Sequence, residues 1–262
     1  MRYFVDCEFC EGKQAKTLLG FKYGETKPTI DLISIGLVAE DGRELYLISK
    51  DFNLKEAWNR WQPREQTSFE KQNNFEGREY WLRNNVLKPI WEELQYKEYR
   101  ETSNDIKKDY FKILDELPEA ERKYFYVKNM LDFGNGVFCY SDFKRLINKY
   151  GKTNKQIAEE IEDFVNGIGL DISIGYGDKE FYGYFSDYDW VVFCQLYGTM
   201  NELPKGFPMF CFDIQQQIEE YKINKDLLLK EVPQINCHNA LQDAHWNFNA
   251  YKWIKNKINN GR

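Results

Sequence analysis

The sequence predicts an α/β fold: a mixed sheet with an antiparallel three-strand meander, flanked by helices, plus mostly helical insertions. Three observations predict it. Two apolar strands open the chain, at residues 2–9 and at Thr29–Ala39, and a third follows the Asp41-Gly42 hairpin signal. Helical patterns then dominate, ending in a long amphipathic stretch over residues 240–257. One more strand, residues 180–185, stands between helices, an order that suits a mixed sheet with helices on its faces.

The first strand carries Asp6 and Glu8 two residues apart, so both project from one face while Val5, Cys7 and Phe9 face the other way. Two like charges that close repel unless something positive lies between them, and a divalent cation held by oxygen ligands is the simplest such thing. By itself a D-x-E is more often a solvated surface pair. Residues 10–28 are rich in Gly and Lys, include Phe21 and Tyr23, and read as a long hairpin or loop. Thr29–Ala39 is branched and apolar almost throughout, which suits a strand buried on both faces. The third strand covers residues 43–49.

Residues 53–58 start a short helix, 62–78 read as an inserted polar loop, and 80–90 form an amphipathic helix that Pro89 ends or kinks. Residues 101–117 and 124–131 read as helical, with a turn at Asn135-Gly136. Thr153 and Gln156 have capping-box form and introduce a helix over 154–166, with Ile157, Ile161 and Phe164 at helical spacing. Helices follow over 189–197, closed by Gly198, and over 212–222. The last helix aligns Leu241, Ala244, Phe248 and Tyr251 on one side. With no repeats, low-complexity tracts or linkers, the expectation is one domain over residues 1–262, with insertions at about 12–27, 59–79 and 95–150.

The chain of 262 residues is 42% hydrophobic and 17% aromatic, enough for a well-filled core. It has no apolar run of 18 residues, so no spanning helix and no membrane partner are expected, and residues 1–9 do not have the form of a signal peptide. A cytoplasmic location is the default expectation. Six scattered cysteines in such a chain read as reduced thiols. Cys7 and Cys10 have the spacing of half a zinc knuckle, but on one continuous strand they face opposite sides, and no second such pair exists. A net charge of −6 argues against a protein that coats nucleic acid electrostatically. It leaves room for an enzyme that grips a few nucleotides through metal ions and stacking. The clearest basic cluster, Lys144, Arg145, Lys149, Lys152 and Lys155, reads first as a solvated helix face and loop.

Two other stretches stand out. Asp189 sits where an aromatic strand ends and an apolar helix begins, a position that equally suits a helix N-cap, and Asp187 competes with it in the same turn. His238 precedes Asp243 by five residues, about 1.4 helical turns, so the pair can meet only if His238 lies in the loop ahead of the helix. His245 reads as structural or exposed. Asp6, Glu8, Asp189 and Asp243 with His238 are the set a two-metal phosphodiesterase needs: carboxylates for two hard cations about 3.5–4 Å apart, and an imidazole to take a proton from water.

With these residues the chain resembles the DEDDh family of 3′–5′ exonucleases, which have a ribonuclease H-like fold. The blocks Asp6-Cys7-Glu8-Phe9, Thr29 to Gly36, Glu40 to Glu44, Trp81 to Pro89, Tyr188 to Gly198 and His238 to Asp243 resemble its RNase AS branch, the polyadenylate-specific 3′-exoribonucleases. The resemblance implies that Asp6, Glu8, Asp189 and Asp243 ligate two Mg²⁺ ions, with Mn²⁺ as a substitute, and that His238 is the general base. It implies stepwise release of nucleoside 5′-monophosphates from single-stranded RNA 3′ ends, a preference for poly(A), and a homodimer. Phe9 and Tyr188 would contact the terminal base, although Phe9 reads equally well as a core residue. Asp31 is assigned a supporting role. Alternatives are a DNA exonuclease or oligonucleotide hydrolase of the same family, an inactive relative that binds nucleotide or RNA, and a structural interaction protein.

Overall fold

In the computed structural model, which describes residues 1–19, 21–102, 137–167, 179–235 and 237–260, the N-terminal apolar run forms β1 (Arg2–Gly12) at the centre of a five-stranded sheet. The chain forms two compact units: Met1–Asn59 with Gly151–Arg262, and Arg60–Tyr150.

The first unit holds the sheet. β2 (Ala15–Leu18) and β3 (Phe21–Glu25) form a separate hairpin, and β4 (Thr29–Ala39) returns antiparallel to β1 with Asp6 opposite Gly36. β5 (Glu44–Ile48) completes the expected meander. β8 (Glu180–Gly183) adds to the other edge of β1 in parallel, and β9 (Phe212–Asp213) adds parallel to β8. The sheet is therefore mixed.

Helices cover both faces because the strands alternate apolar side chains to each. On one face Tyr3, Val5, Cys7, Ile35, Leu37 and Phe181 pack with α5 (Asn154–Asn166) and α6 (Asp187–Gln195), through Ile157, Ile161, Trp190 and Phe193. On the other, Phe4, Val38 and Tyr182 pack with α7 (Ile214–Glu220), α8 (Lys225–Glu231) and α9 (Ala240–Asn260). Residues 32–39 of β4 are all buried, as its continuous apolar pattern predicts. Leu241, Ala244, Phe248 and Tyr251 do share the buried side of α9. The Thr153 capping box forms, and α5 matches its predicted bounds.

Several boundaries differ from the sequence reading. The strand expected over 180–185 stops at Gly183, and α6 begins at Asp187 rather than Asp189. Phe185 takes a left-handed backbone conformation (φ 52°), which turns the chain out of the sheet early. α1 (Leu54–Asn59) ends the first part of this unit.

In the second unit, the expected polar loop over 62–78 is more ordered. β6 (Gln62–Pro63) and β7 (Arg78–Glu79) pair around α2 (Ser68–Gln72), which Thr67 and Glu70 cap reciprocally. That capping box was legible in the sequence. Pro89 does not end its helix. Arg83–Leu87 forms a π-helical turn, Lys88 N–H reaches the Arg83 carbonyl, and α3 (Lys88–Thr102) continues through the proline in its first turn. A proline there clashes least where the preceding turn is wide and no N–H is required. The helices expected over 101–117 (beyond Thr102) and 124–131 and the turn at Asn135-Gly136 lie outside the described residues.

Four of the five residues of the basic cluster are ion-paired. On α4 (Tyr140–Tyr150) Arg145 makes two bonds to Glu98 at 2.7 and 2.6 Å, and Lys149 donates to the same carboxylate at 2.9 Å. In the first unit Lys152 pairs with Glu160 and Lys155 with Glu159, while Lys144 is exposed.

One contact between sheet and helix has no tolerance. A Cβ built on Gly36 would lie 2.3 Å from the Ala240 carbonyl oxygen and 2.4 Å from the Leu241 nitrogen. Both are backbone atoms, so β4 and the start of α9 would have to separate. Gly36→Ala is expected to destabilise the protein by about 3 kcal/mol, the upper range for overpacking, lowering Tm by roughly 6–12 °C for a chain of this size. An unchanged melting curve would show that α9 shifts without penalty.

Candidate active site

The sheet places the carboxylates by three routes. Asp6 and Glu8 stand at alternate positions of β1, on the face covered by α9, while Cys7 between them enters the opposite core. Asp243 lies in the first turn of α9. One oxygen each from Asp6, Glu8 and Asp243 can be chosen so that all lie within 4.8 Å of one another.

Asp189 arrives from the opposite face, around the edge of β1. β8 pairs with β1 only at Arg2, Tyr3 and Phe4. Beyond it, the main-chain groups of β1 on that edge need other partners. Asn247 of α9 donates its amide to the Val5 carbonyl at 3.0 Å, and Cys7 N–H donates to Asp189 Oδ1 at 2.8 Å. Asp189 is therefore no helix cap: Ser186 occupies the N-cap position, and Asp189 is the third residue of the first turn, buried at 7% exposure. Asp187 is exposed.

His238 occupies the loop ahead of α9 in a left-handed conformation (φ 71°). Its backbone N–H donates to Asp243 Oδ2 at 2.8 Å, and its Nδ1 lies 4.0 Å from Glu8 Oε1, with the side chain half exposed. A bulky residue at positive φ stores strain of about 1–3 kcal/mol and persists where its surroundings fix it; here the Asp243 carboxylate does so. His245 is elsewhere, bonded to Glu44 at 2.7 Å.

All four acids are raised above the usual carboxylate range. Burial, then the charges of Asp189, Asp243 and Glu8, push Asp6 well above the usual carboxylate range. Burial, with Asp243 and Asp189, pushes Glu8 up to about 8. Asp189 rises to about 7, chiefly by burial, against the Cys7 N–H bond that favours its anion. Asp243 is raised by burial too. An all-oxygen set of this kind suits a hard divalent cation such as Mg²⁺ or Mn²⁺.

Phe9 packs at the rim of the core and meets Tyr188 edge-on, with ring centroids 6.0 Å apart; the Tyr188 ring is half exposed. Two residues that the sequence reading did not single out, Asp213 and Asn247, hold the frame around the site. Asp213, buried, accepts from Ser186 N–H at 2.7 Å and caps α7 through Gln216 N–H at 2.9 Å, tying the start of α6 to β9. Its spacing to Gln216 has capping form and could have been noticed. Asn247, on a helix face of apolar neighbours, gave no such signal.

The raised acids set a sign for stability. Glu8 and Asp189 titrate in the fold at about 8 and about 7, against about 4.3 and 3.9 in an unfolded chain. Their neutral forms fit the metal-free site, so the stability they contribute is present at low pH and lost as pH rises through 7 and 8. In EDTA, Tm is expected to fall from about pH 4, where the unfolded carboxylates ionise, to about pH 8. Asp6→Asn is expected to raise Tm at pH 8 by several degrees and to flatten that decline. A variant less stable than wild type at pH 8 would show that the acids do not repel.

No family model matches the chain. It is similar to two proteins named 3′–5′ exoribonuclease, from two strains of Mycobacterium tuberculosis. Each is 24% identical over 262 residues, an alignment that covers 100% of this chain and 98% of theirs.

Proposed function

We propose that this chain is a metal-dependent 3′–5′ exoribonuclease of the DEDDh type, releasing nucleoside 5′-monophosphates from single-stranded RNA with a preference for adenylates. The observation that carries the reading is the meeting of three carboxylates from β1 and α9, with Asp189 of α6 near enough to raise Asp6, beside a half-exposed imidazole. End-to-end similarity to proteins named 3′–5′ exoribonuclease supports it.

Asp6, Glu8, Asp189 and Asp243 are the residues that would hold two Mg²⁺ ions, and the oxygen-only donor set fits them. When bound, such ions polarise the attacking water and stabilise the leaving 3′ oxygen. The rest falls to the chain. His238, fixed at its backbone by Asp243, takes a proton from the water that attacks phosphorus and passes it to solvent. The P–O3′ bond breaks, the 3′ oxygen regains a proton, and the phosphate leaves on the 5′ carbon of the released nucleoside. Tyr188, braced by Phe9, offers an aromatic face to the terminal base. The same site would serve a DNA exonuclease or oligonucleotide hydrolase, since contacts to the 2′-hydroxyl decide that choice.

The test uses 5′-labelled poly(A), poly(U) and single-stranded DNA of equal length. A stepwise ladder is expected on poly(A) in Mg²⁺, none in EDTA, and none with Asp189→Ala. His238→Ala is expected to lower kcat by about 10²–10⁴-fold, the contribution of a general base. Equal digestion of poly(U) would remove the adenylate preference. Wild type indistinguishable from Asp6→Ala would end the enzyme reading. Sedimentation checks the homodimer that the resemblance implies.

A further inference from the structure

The β2–β3 hairpin grows directly out of the strand that carries Asp6 and Glu8. β1 and β4 stay paired as far as Gly12 and Thr29, and Thr26 N–H then donates to the Gln14 carbonyl at 2.9 Å, carrying the ladder on. The root is fixed. Buried Gln14 donates its amide to Thr29 at 3.0 Å and to Asp31, and accepts from Asn53 at 3.0 Å. The tip is uncovered: Leu18 is 67% exposed, Leu19 90%, Phe21 79% and Tyr23 68%. A two-stranded ribbon that shows four large apolar side chains to water gains no stability from them in the isolated chain.

The charge on the hairpin selects the occupant. Residues 12–27 hold four lysines and one acid, in a chain whose net charge is −6. Lys16 and Lys22 are exposed, and Lys22 lies between the two aromatic residues in sequence. It pairs with Glu25 at 2.8 Å, both side chains exposed. Exposed pairs of this kind contribute about 0–1 kcal/mol and exchange readily for a stronger anion. On β3 the rings of Phe21 and Tyr23 take one face of a narrow ribbon and Lys22 the other, so a single-stranded nucleic acid lying along it meets faces for its bases and cations for its phosphates. A symmetric contact between two copies would bring the same lysines together, which like charges oppose.

We propose that the hairpin is an accessory site for single-stranded RNA, in which Phe21 and Tyr23 stack on bases upstream of the 3′ end. The proposal rests on the exoribonuclease reading. From Glu8 to Lys16 the chain extends at most about 26 Å at the rise of a strand, so one RNA strand can occupy both sites.

The test compares wild type with Phe21→Ser/Tyr23→Ser, whose melting curve is expected to be unchanged because both side chains are exposed. Binding of a 5′-fluorescent oligoadenylate of about 20 nucleotides, longer than the roughly 4–16 that a single-stranded site spans, is read by anisotropy in EDTA, where nothing is cut. Kd is expected to rise about tenfold for each ring lost. In Mg²⁺, KM for the same oligomer should rise with kcat unchanged, and hydrolysis of a dinucleotide should not change. An unchanged Kd, or a variant that alters sedimentation instead, overturns the proposal, the second by assigning the hairpin to another copy of the chain. Hairpin-dependent binding without any cleavage would leave the RNA site standing and remove the exoribonuclease reading.

Discussion

Ionised carboxylates that share a dry site repel one another, and Asp6 stands with three of them. Nothing local brings these groups together. Asp6 and Glu8 are fixed because β1 lies in the middle of the sheet, between β4 and β8. Asp243 is fixed because α9 rests against β4 at a position without a Cβ. Asp189 is fixed because its carboxylate completes the hydrogen bonding of β1. The two cores supply the opposing energy. Burying one large apolar side chain contributes about 1.5–3 kcal/mol, and Phe4, Phe181, Phe193, Ile35 and Leu37 are all fully buried.

The shortness of β8 is what opens the site. A strand that followed β1 to its end would satisfy the main chain and leave no room for a side chain at Cys7. Here the ladder stops at Phe4, and two side chains continue it, an amide from α9 and a carboxylate from α6. The substitution couples backbone to chemistry, since Asp189 is both a hydrogen-bond partner of the sheet and a member of the acid cluster. The left-handed turn at Phe185 and the Asp213 link to Ser186 direct the chain into α6 so that this can happen.

Much of this was legible in the sequence, for identifiable reasons. The D-x-E strand, the branched apolar run of β4 and the Thr153 cap are local patterns, and each folded as its pattern required. The bounds of α6 were missed because Asp189 mimics an N-cap in sequence while serving a neighbouring strand in space. Asn247 was invisible because its role depends on where β8 ends, which no local pattern encodes. The π-helical turn before Pro89 is a compromise between a helical pattern and a residue that resists it, and only three dimensions show which side yields.

The electrostatics also limit where RNA could be held, if RNA is the substrate. Arg145, Lys149, Lys152 and Lys155 each face a carboxylate, so much of the cluster that looked basic in sequence is neutralised by its neighbours. Counterion release grows with the number of phosphates contacted, and a cluster whose cations are paired in this way offers few such contacts. Affinity would then depend on stacking and on the acid site, both of which need unpaired bases. A duplex hides its base faces and offers only its phosphates. Preference for single strands would follow from the charge balance as much as from the shape of the site.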